Sequence, residues 1–215
     1  MKTMLLTAVA LTAAAPALAQ SEPAAPVGPR IEARVGFDRV VLGVHASDDI
    51  NDESVTGGKN GVTYGGEIGY DFRAGQYAIL GAYAGIEGAS TKECTEVYGG
   101  DEACLKAGRN ITAGIRAGYM FGRSGLFYVK GGYTNGRLNL TYRDPADASS
   151  NFDEGANRDG FHVGTGVEMG FSRNVYGKLE YVYTNYNSVD VDDGATSGGL
   201  DFDRHQVVAG LGIRF

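Results

Sequence analysis

From Phe202 to Phe215 the sequence alternates with a period of two. Val207, Ala209, Leu211, Ile213 and Phe215 are apolar. Gln206, Gly210, Gly212 and Arg214 between them are polar or very small, and Val208 is the one exception. Period two marks a strand with one apolar face. Ending such a strand on an aromatic suits a barrel in lipid. There the sheet must close on itself, and aromatics gather at the membrane interface.

The same pattern fills the rest of the chain. Strands are expected near 30–44, 62–72, 76–88, 110–121, 161–171 and 175–186, with a further one from Leu126 that reaches as far as Tyr142. In the first strand the phase breaks at Asp38-Arg39, which predicts a β-bulge there. Tight turns at Arg73-Ala74-Gly75, Gly122 to Gly125 and Ser172-Arg173-Asn174 alternate with long polar segments near 45–61, 89–109, 143–160 and 187–201. Short turns on one side and long loops on the other are the rhythm of an up-and-down transmembrane barrel. The expected fold is therefore all-β, an eight-stranded antiparallel up-and-down transmembrane β-barrel, with both ends on the periplasmic side.

A soluble eight-stranded barrel would turn its apolar face inward. Two features oppose that. The polar face is rich in glycine with isolated charges, which suits the narrow interior of an eight-stranded barrel. The aromatics Tyr70, Phe72, Tyr119, Phe121, Phe127, Phe171 and Phe215 all flank the short turns or the C-terminus, which makes a girdle at one interface. The interior then carries Arg30, Arg34, Arg116, Lys130, Lys178 and Arg214 against Glu32, Glu67, Asp71, Glu87, Glu168 and Glu180. Buried ions need partners. Arg34, Glu67, Glu87, Arg116, Lys130, Glu168, Lys178 and Glu180 are read as a charge network that fills the lumen.

The N-terminus reads as an export signal. Lys2 gives a positive start, Met4 to Ala15 an apolar run, and Ala17-Leu18-Ala19 a small-residue cleavage site. The expected organisation is a signal peptide over 1–19, a flexible Pro/Ala linker over 20–29 and a barrel over 30–215. Glycine, at 34 of 215 residues, far exceeds the usual share of about 7%. Cys94 and Cys104 in an exported protein are expected to form one disulfide. No His lies near them, so no metal site is expected there.

The signal peptide, the eight alternating strands, the inward Arg/Glu pattern and the terminal strand VVAGLGIRF together resemble the small outer-membrane β-barrels of Gram-negative bacteria, of the opacity-type, OmpX-like and OmpA-transmembrane-like kinds. The segment GPRIEARVGFDRV is similar to the first strand of alphaproteobacterial members. The resemblance implies a place in the outer membrane. It also implies that Val207, Ala209, Leu211, Ile213 and Phe215 serve as the signal read by the barrel-assembly machinery. Family members differ in task, among them adhesion, envelope integrity and surface interaction.

Enzymatic barrels are the competing class. A lipid A deacylase of this shape uses a His-x-Ser motif with a carboxylate. His45-Ala46-Ser47 with Asp48 and Asp49 has that spacing, but it falls in the first outer segment rather than on a late strand. Asp190-Val191-Asp192-Asp193-Gly194 lacks the carboxylate spacing and closing Glu of a calcium loop. Neither metal nor cofactor is expected. The outer segments are acidic: 187–203 holds five aspartates and no basic residue, in a chain of net charge −7. The barrel beneath them is thus expected to be net positive. Nucleic acid is disfavoured as a partner. Outer-membrane lipid and lipopolysaccharide are expected neighbours, with divalent cations bridging the acidic segments to them. A surface partner of unknown kind and a monomeric state complete the reading: a non-catalytic barrel with a filled lumen that acts through its outer segments. A small porin-like channel and a lipid A-modifying enzyme are the alternatives.

Overall fold

The computed structural model describes residues 26–47, 52–90, 92–96, 101–143, 145, 151–192 and 197–215. The expected signal peptide lies outside them. Nine β-segments follow one another: β1 Gly28–Ser47, β2 Asp52–Arg73, β3 Ala78–Ala89, β4 Lys92–Glu96, β5 Glu102–Phe121, β6 Gly125–Arg143, β7 Phe152–Gly170, β8 Val175–Asp192 and β9 Ser197–Arg214. All neighbours pair antiparallel, in the order β3-β2-β1-β9-β8-β7-β6-β5-β4, and β3 also pairs with β5. The short β4 resumes the partnership of β3 with β5 above a break. The wall is therefore a closed ring of eight strands.

Closure falls between β1 and β9, paired in register from Arg30–Arg214 to Ser47–Ser197. The Phe215 N–H adds a bond to the Pro29 carbonyl at 3.0 Å. In hydrocarbon an unpaired N–H or C=O has no water to turn to, so a ring without edges is the only stable sheet.

The apolar face points outward. Ile31, Val35, Tyr64, Ile68, Ile115, Leu179 and Leu211 are exposed, whereas Arg34, Glu67, Arg116, Lys130 and Glu180 are buried inside. On β2 the outward apolar series runs from Val62 to Phe72. Ten steps of about 3.4 Å, tilted by about 40°, rise roughly 26 Å, close to the ~25 Å apolar band of such barrels. Tyr70, Phe72, Tyr119, Phe121, Phe127, Phe171 and Phe215 are all exposed outward at the short-turn end, as the girdle requires.

Two expectations need correction. The long polar segments are largely strand: β1 runs on to Ser47, β2 starts at Asp52, β6 ends at Arg143, β7 starts at Phe152, and β8 and β9 reach Asp192 and Ser197. The barrel wall thus continues well beyond the hydrocarbon. Nor does β1 bulge at Asp38-Arg39, since its register with β2 and β9 is unbroken. Above Phe37 the wall leaves the lipid, so Arg39 takes the outward position and the apolar Val40 falls on the lumen side. The face changes character because the solvent changes, with no extra residue. Register shifts occur instead between Ala107 and Asn110 on β5 and between Tyr186 and Val189 on β8.

Cys94 and Cys104 oppose each other on β4 and β5 and are disulfide-bonded. The bond ties the short β4 segment to the wall.

The face assignment has a direct consequence. Leu211 lies outward near mid-band and is 60% exposed, so Leu211→Arg places a charge in hydrocarbon. Reversible unfolding in bilayers should show a loss of about 2–4 kcal/mol. An unchanged midpoint would mean that this face does not meet lipid.

Candidate functional site

The lumen is built from the inward residues of all eight wall strands. Among the described residues, seven cations and seven carboxylates interlock there, every side chain at most 9% exposed. They lie in layers. Nearest the short turns, Asp71 accepts from Arg214 (3.0 Å) and Arg116 and forms an ion pair with Arg30 (3.3 Å), and Glu168 accepts from Arg214 (2.6 Å) and Arg116 (3.2 Å). In the middle layer Glu67 meets Arg30 at 2.8 Å, Arg34 at 2.6 Å and Lys130 at 2.8 Å. Glu180 meets Arg34 at 2.6 Å, Lys130 at 3.1 Å and Lys178 at 3.2 Å. Lys178 also reaches Glu32, and Arg34 reaches Glu87 at 3.3 Å. Towards the mouth, Arg204 forks onto Asp38 through Nε at 2.6 Å and Nη2 at 2.9 Å.

Tyrosines complete the packing. The Tyr128 hydroxyl donates to Glu180 at 2.6 Å and the Tyr176 hydroxyl to Glu32 at 2.8 Å. Arg116, Lys130 and Arg214 lie over the rings of Tyr128, Tyr83 and Tyr176 at 4.9, 4.2 and 4.8 Å, where the π-face attracts a cation. The Tyr83 hydroxyl and His162 Nε2 share a hydrogen bond of 2.5 Å. Glycine makes room for these long side chains. A Cβ at Gly166 would stand 2.6 Å from the Tyr128 hydroxyl, and one at Gly210 would stand 2.9 Å from Lys178 Cγ. Below the ions, Ile79 and Leu126 pack with Tyr128 as an apolar floor.

At the opposite end of the apolar band the outer wall turns polar at one level. Two copies of the same device stand there. Tyr133 and Asn135 both donate to Asp159 on the next strand, Asn135 at 2.6 Å, and Tyr183 and Asn185 both donate to Asp203 at 2.7 and 2.9 Å. Each is a Tyr-Thr-Asn triplet whose middle threonine, Thr134 or Thr184, is buried on the lumen side. His205 joins the second copy through Tyr181, at 2.7 Å. Ionised carboxylates do not lie in hydrocarbon, so these groups mark where the lipid headgroups begin.

Residues 5–215 match the outer membrane protein β-barrel domain family. The chain belongs to that family. Among curated members, it is 28% identical to the 22 kDa outer membrane protein of Rhizobium leguminosarum bv. viciae over 71% of this chain and 66% of that one. It is 27% identical to the 31 kDa outer-membrane immunogenic protein of Brucella melitensis over the full length of both. Among solved structures it is similar to Neisserial surface protein A, at 13% identity, with a TM-score of 0.48 and coverage of 84% of this chain and 97% of that one. This family places the protein in the outer membrane of a Gram-negative bacterium.

Within this outer-membrane barrel the structure brings Arg34, Glu67, Glu87, Arg116, Lys130, Glu168, Lys178 and Glu180 together in one lumen. Glu168 pairs with Arg116 and Arg214. The lumen set is balanced, with Asp38 and Arg204 added to the six cations and six carboxylates expected there. Val207, Ala209, Leu211, Ile213 and Phe215 follow one another outward on β9 and just after it, while Val208 is fully buried inside. His45-Ala46-Ser47 forms the outermost end of β1 rather than a loop, opposite Ser54, Glu53 and Asp52 of β2. Asp190, Val191 and Asp192 belong to β8, so they are strand and not a calcium loop, and Asp193 and Gly194 lie outside the described residues. Among the described residues no group of His, Cys, Asp and Glu could hold a metal ion.

Sequence reading missed Asp38 and Arg204 as lumen residues. The apparent phase break hid Asp38, although its spacing from Arg34 and Glu32 already placed it on the inward face. The repeated Tyr-Thr-Asn triplet was also legible and unread.

The forked pair offers a clean energetic test. Asp38→Leu strands the buried Arg204 guanidinium and should destabilise by about 3–5 kcal/mol. Asp38→Leu with Arg204→Met removes both charges and should cost clearly less. Urea unfolding of the two variants in parallel reports the difference, and equal midpoints for both and for wild type would mean a wet, unstrained site.

Proposed function

We propose that this outer-membrane barrel is non-catalytic and works from its outer end. The membrane-embedded part is a filled support, and the strand extensions above the hydrocarbon are the surface that meets partners. The reading rests on the lumen: among the described residues, seven cations and seven carboxylates paired with one another, with side chains at most 9% exposed, over a floor of Ile79 and Leu126. Eight strands enclose a space that side chains just fill, and an ion crossing it would have to displace several buried pairs at once.

A lipid-modifying reaction needs its nucleophile beside the acyl chains. His45-Ala46-Ser47 stands at the far end of β1, well above Phe37, where the outward apolar series of β1 ends. The Brucella relative is named an immunogenic protein, which suits a part presented outside the cell. The partners in this reading are lipopolysaccharide and other lipid of the outer leaflet, the assembly machinery at the last strand, and a surface partner met by one copy of the barrel.

Planar-bilayer recording tests the reading. The purified barrel should give no stable conductance step, and replacing residues 187–201 by a tight turn should leave heat-modifiable migration intact while removing surface binding. Reproducible conductance that changes with Lys130→Gln would instead make the lumen the working part.

A further inference from the structure

Above the apolar band, the outer face of β5, β6 and β7 carries an open groove of about 830 Å³. Its lining includes Lys106 from β5, Arg137, Asn139 and Arg143 from β6, and Asp153 and Gly155 from β7. Arg109, also exposed, comes from the bulge of β5 beside Arg137. In the lumen, Arg30, Arg34, Arg116, Lys130, Lys178, Arg204 and Arg214 are each ion-paired. By contrast, none of Lys106, Arg109, Arg137 and Arg143 forms an ion pair among the described residues. Among the described residues, Asp153 is the one carboxylate lining the groove, against three cations.

Arg137 is held in place rather than adrift. Its Nε donates to Asn139 Oδ1 at 3.2 Å. Its guanidinium lies over Gly155, where a Cβ would stand 2.6 Å from Nη2. The planar fork therefore lies along the wall, in the form that suits bidentate contact with a phosphate.

Height identifies the ligand. Arg137 comes one outward position above Asn135, in the polar level that ends the apolar band, and Arg109 comes directly above Ile111. From Arg137 to Arg143 the wall climbs about 15 Å along the membrane normal. The groove thus begins at the headgroup phosphates and runs up to where head sugars lie. Below it the wall is apolar and shallow, with Ile111, Ile115, Val129 and Tyr133 exposed and Gly131 opposite Ile115. A phosphate-binding cleft above an acyl-chain surface fits one kind of molecule.

We propose that this groove binds the phosphorylated sugar headgroup of an outer-leaflet glycolipid of the lipopolysaccharide type. Lys106, Arg109 and Arg137 meet its phosphates, Arg143 meets the sugars above, and its acyl chains lie on the wall below. The proposal rests on the reading of the outer extensions as the working part. It replaces cation bridging by direct contact, because the basic residues are already in the headgroup layer. Binding therefore survives chelation of divalent ions.

Native mass spectrometry of the full-length folded barrel with bisphosphorylated lipid A, in EDTA, tests it. Lys106→Gln with Arg137→Gln should weaken binding about tenfold per charge removed, with unchanged heat-modifiable migration. Arg137→Lys, which keeps the charge and loses the fork, should fall between. Arg73→Gln at the short-turn end should have no effect. Dephosphorylated lipid A should bind weakly to wild type and variants alike. Wild-type affinity in the double variant, equal binding of dephosphorylated lipid A, or equally tight binding of phosphatidylglycerol would each overturn the proposal. If the double variant binds lipid A normally while loss of 187–201 still removes surface binding, the groove is wrong and the broader reading stands.

Discussion

Hydrocarbon offers a strand no water, and most of this molecule follows from that. Every backbone group in the band must find another strand, so β1 has to meet β9 and the sheet has to close. Closure with eight strands fixes a narrow bore. A narrow bore excludes bulk water, and a charge inside it survives only with a partner. The outward face must then be apolar over one stretch of wall and no further, which sets the levels of the aromatic girdle and of the Tyr-Asn-Asp clusters.

The filling of the bore shows how these demands are met together. Long charged side chains reach across from one wall to another, and glycine at the positions they cross keeps the backbone from colliding with them. Gly166 under Tyr128 and Gly210 under Lys178 are examples. Shared carboxylates matter more than single pairs. Glu67 and Glu180 each face several cations, so no single side chain can leave without unbalancing others. Beyond the lipid this economy changes. The wall continues, water returns, and Lys106, Arg137 and Arg143 form no ion pair among the described residues.

Much of this was legible from the sequence, because period-two alternation, glycine on one face and aromatics beside short turns each have one physical meaning. The lumen charges were readable from parity alone. Where reading failed, the solvent had changed along a strand. At Asp38-Arg39-Val40 the apolar positions move to the other face as the wall leaves lipid, and a pattern reader takes that for a bulge. The polar segments near 143–160 and 187–201 look like loops because strands in water need no apolar face, yet β6, β7, β8 and β9 run through them. The groove had no local signal, since Lys106, Arg137 and Asp153 come from three strands and meet only through register.

The central claim is that the interior is filled and dry. Val208 is fully buried in the lumen between the layers, and a cysteine there differs little from valine in volume. In liposome-inserted barrel, with Cys94 and Cys104 oxidised, Val208→Cys should resist a small charged methanethiosulfonate reagent added from either side, and unfolding should expose it at once. Rapid labelling of the folded barrel would mean that water reaches the centre of the lumen and would contradict the account.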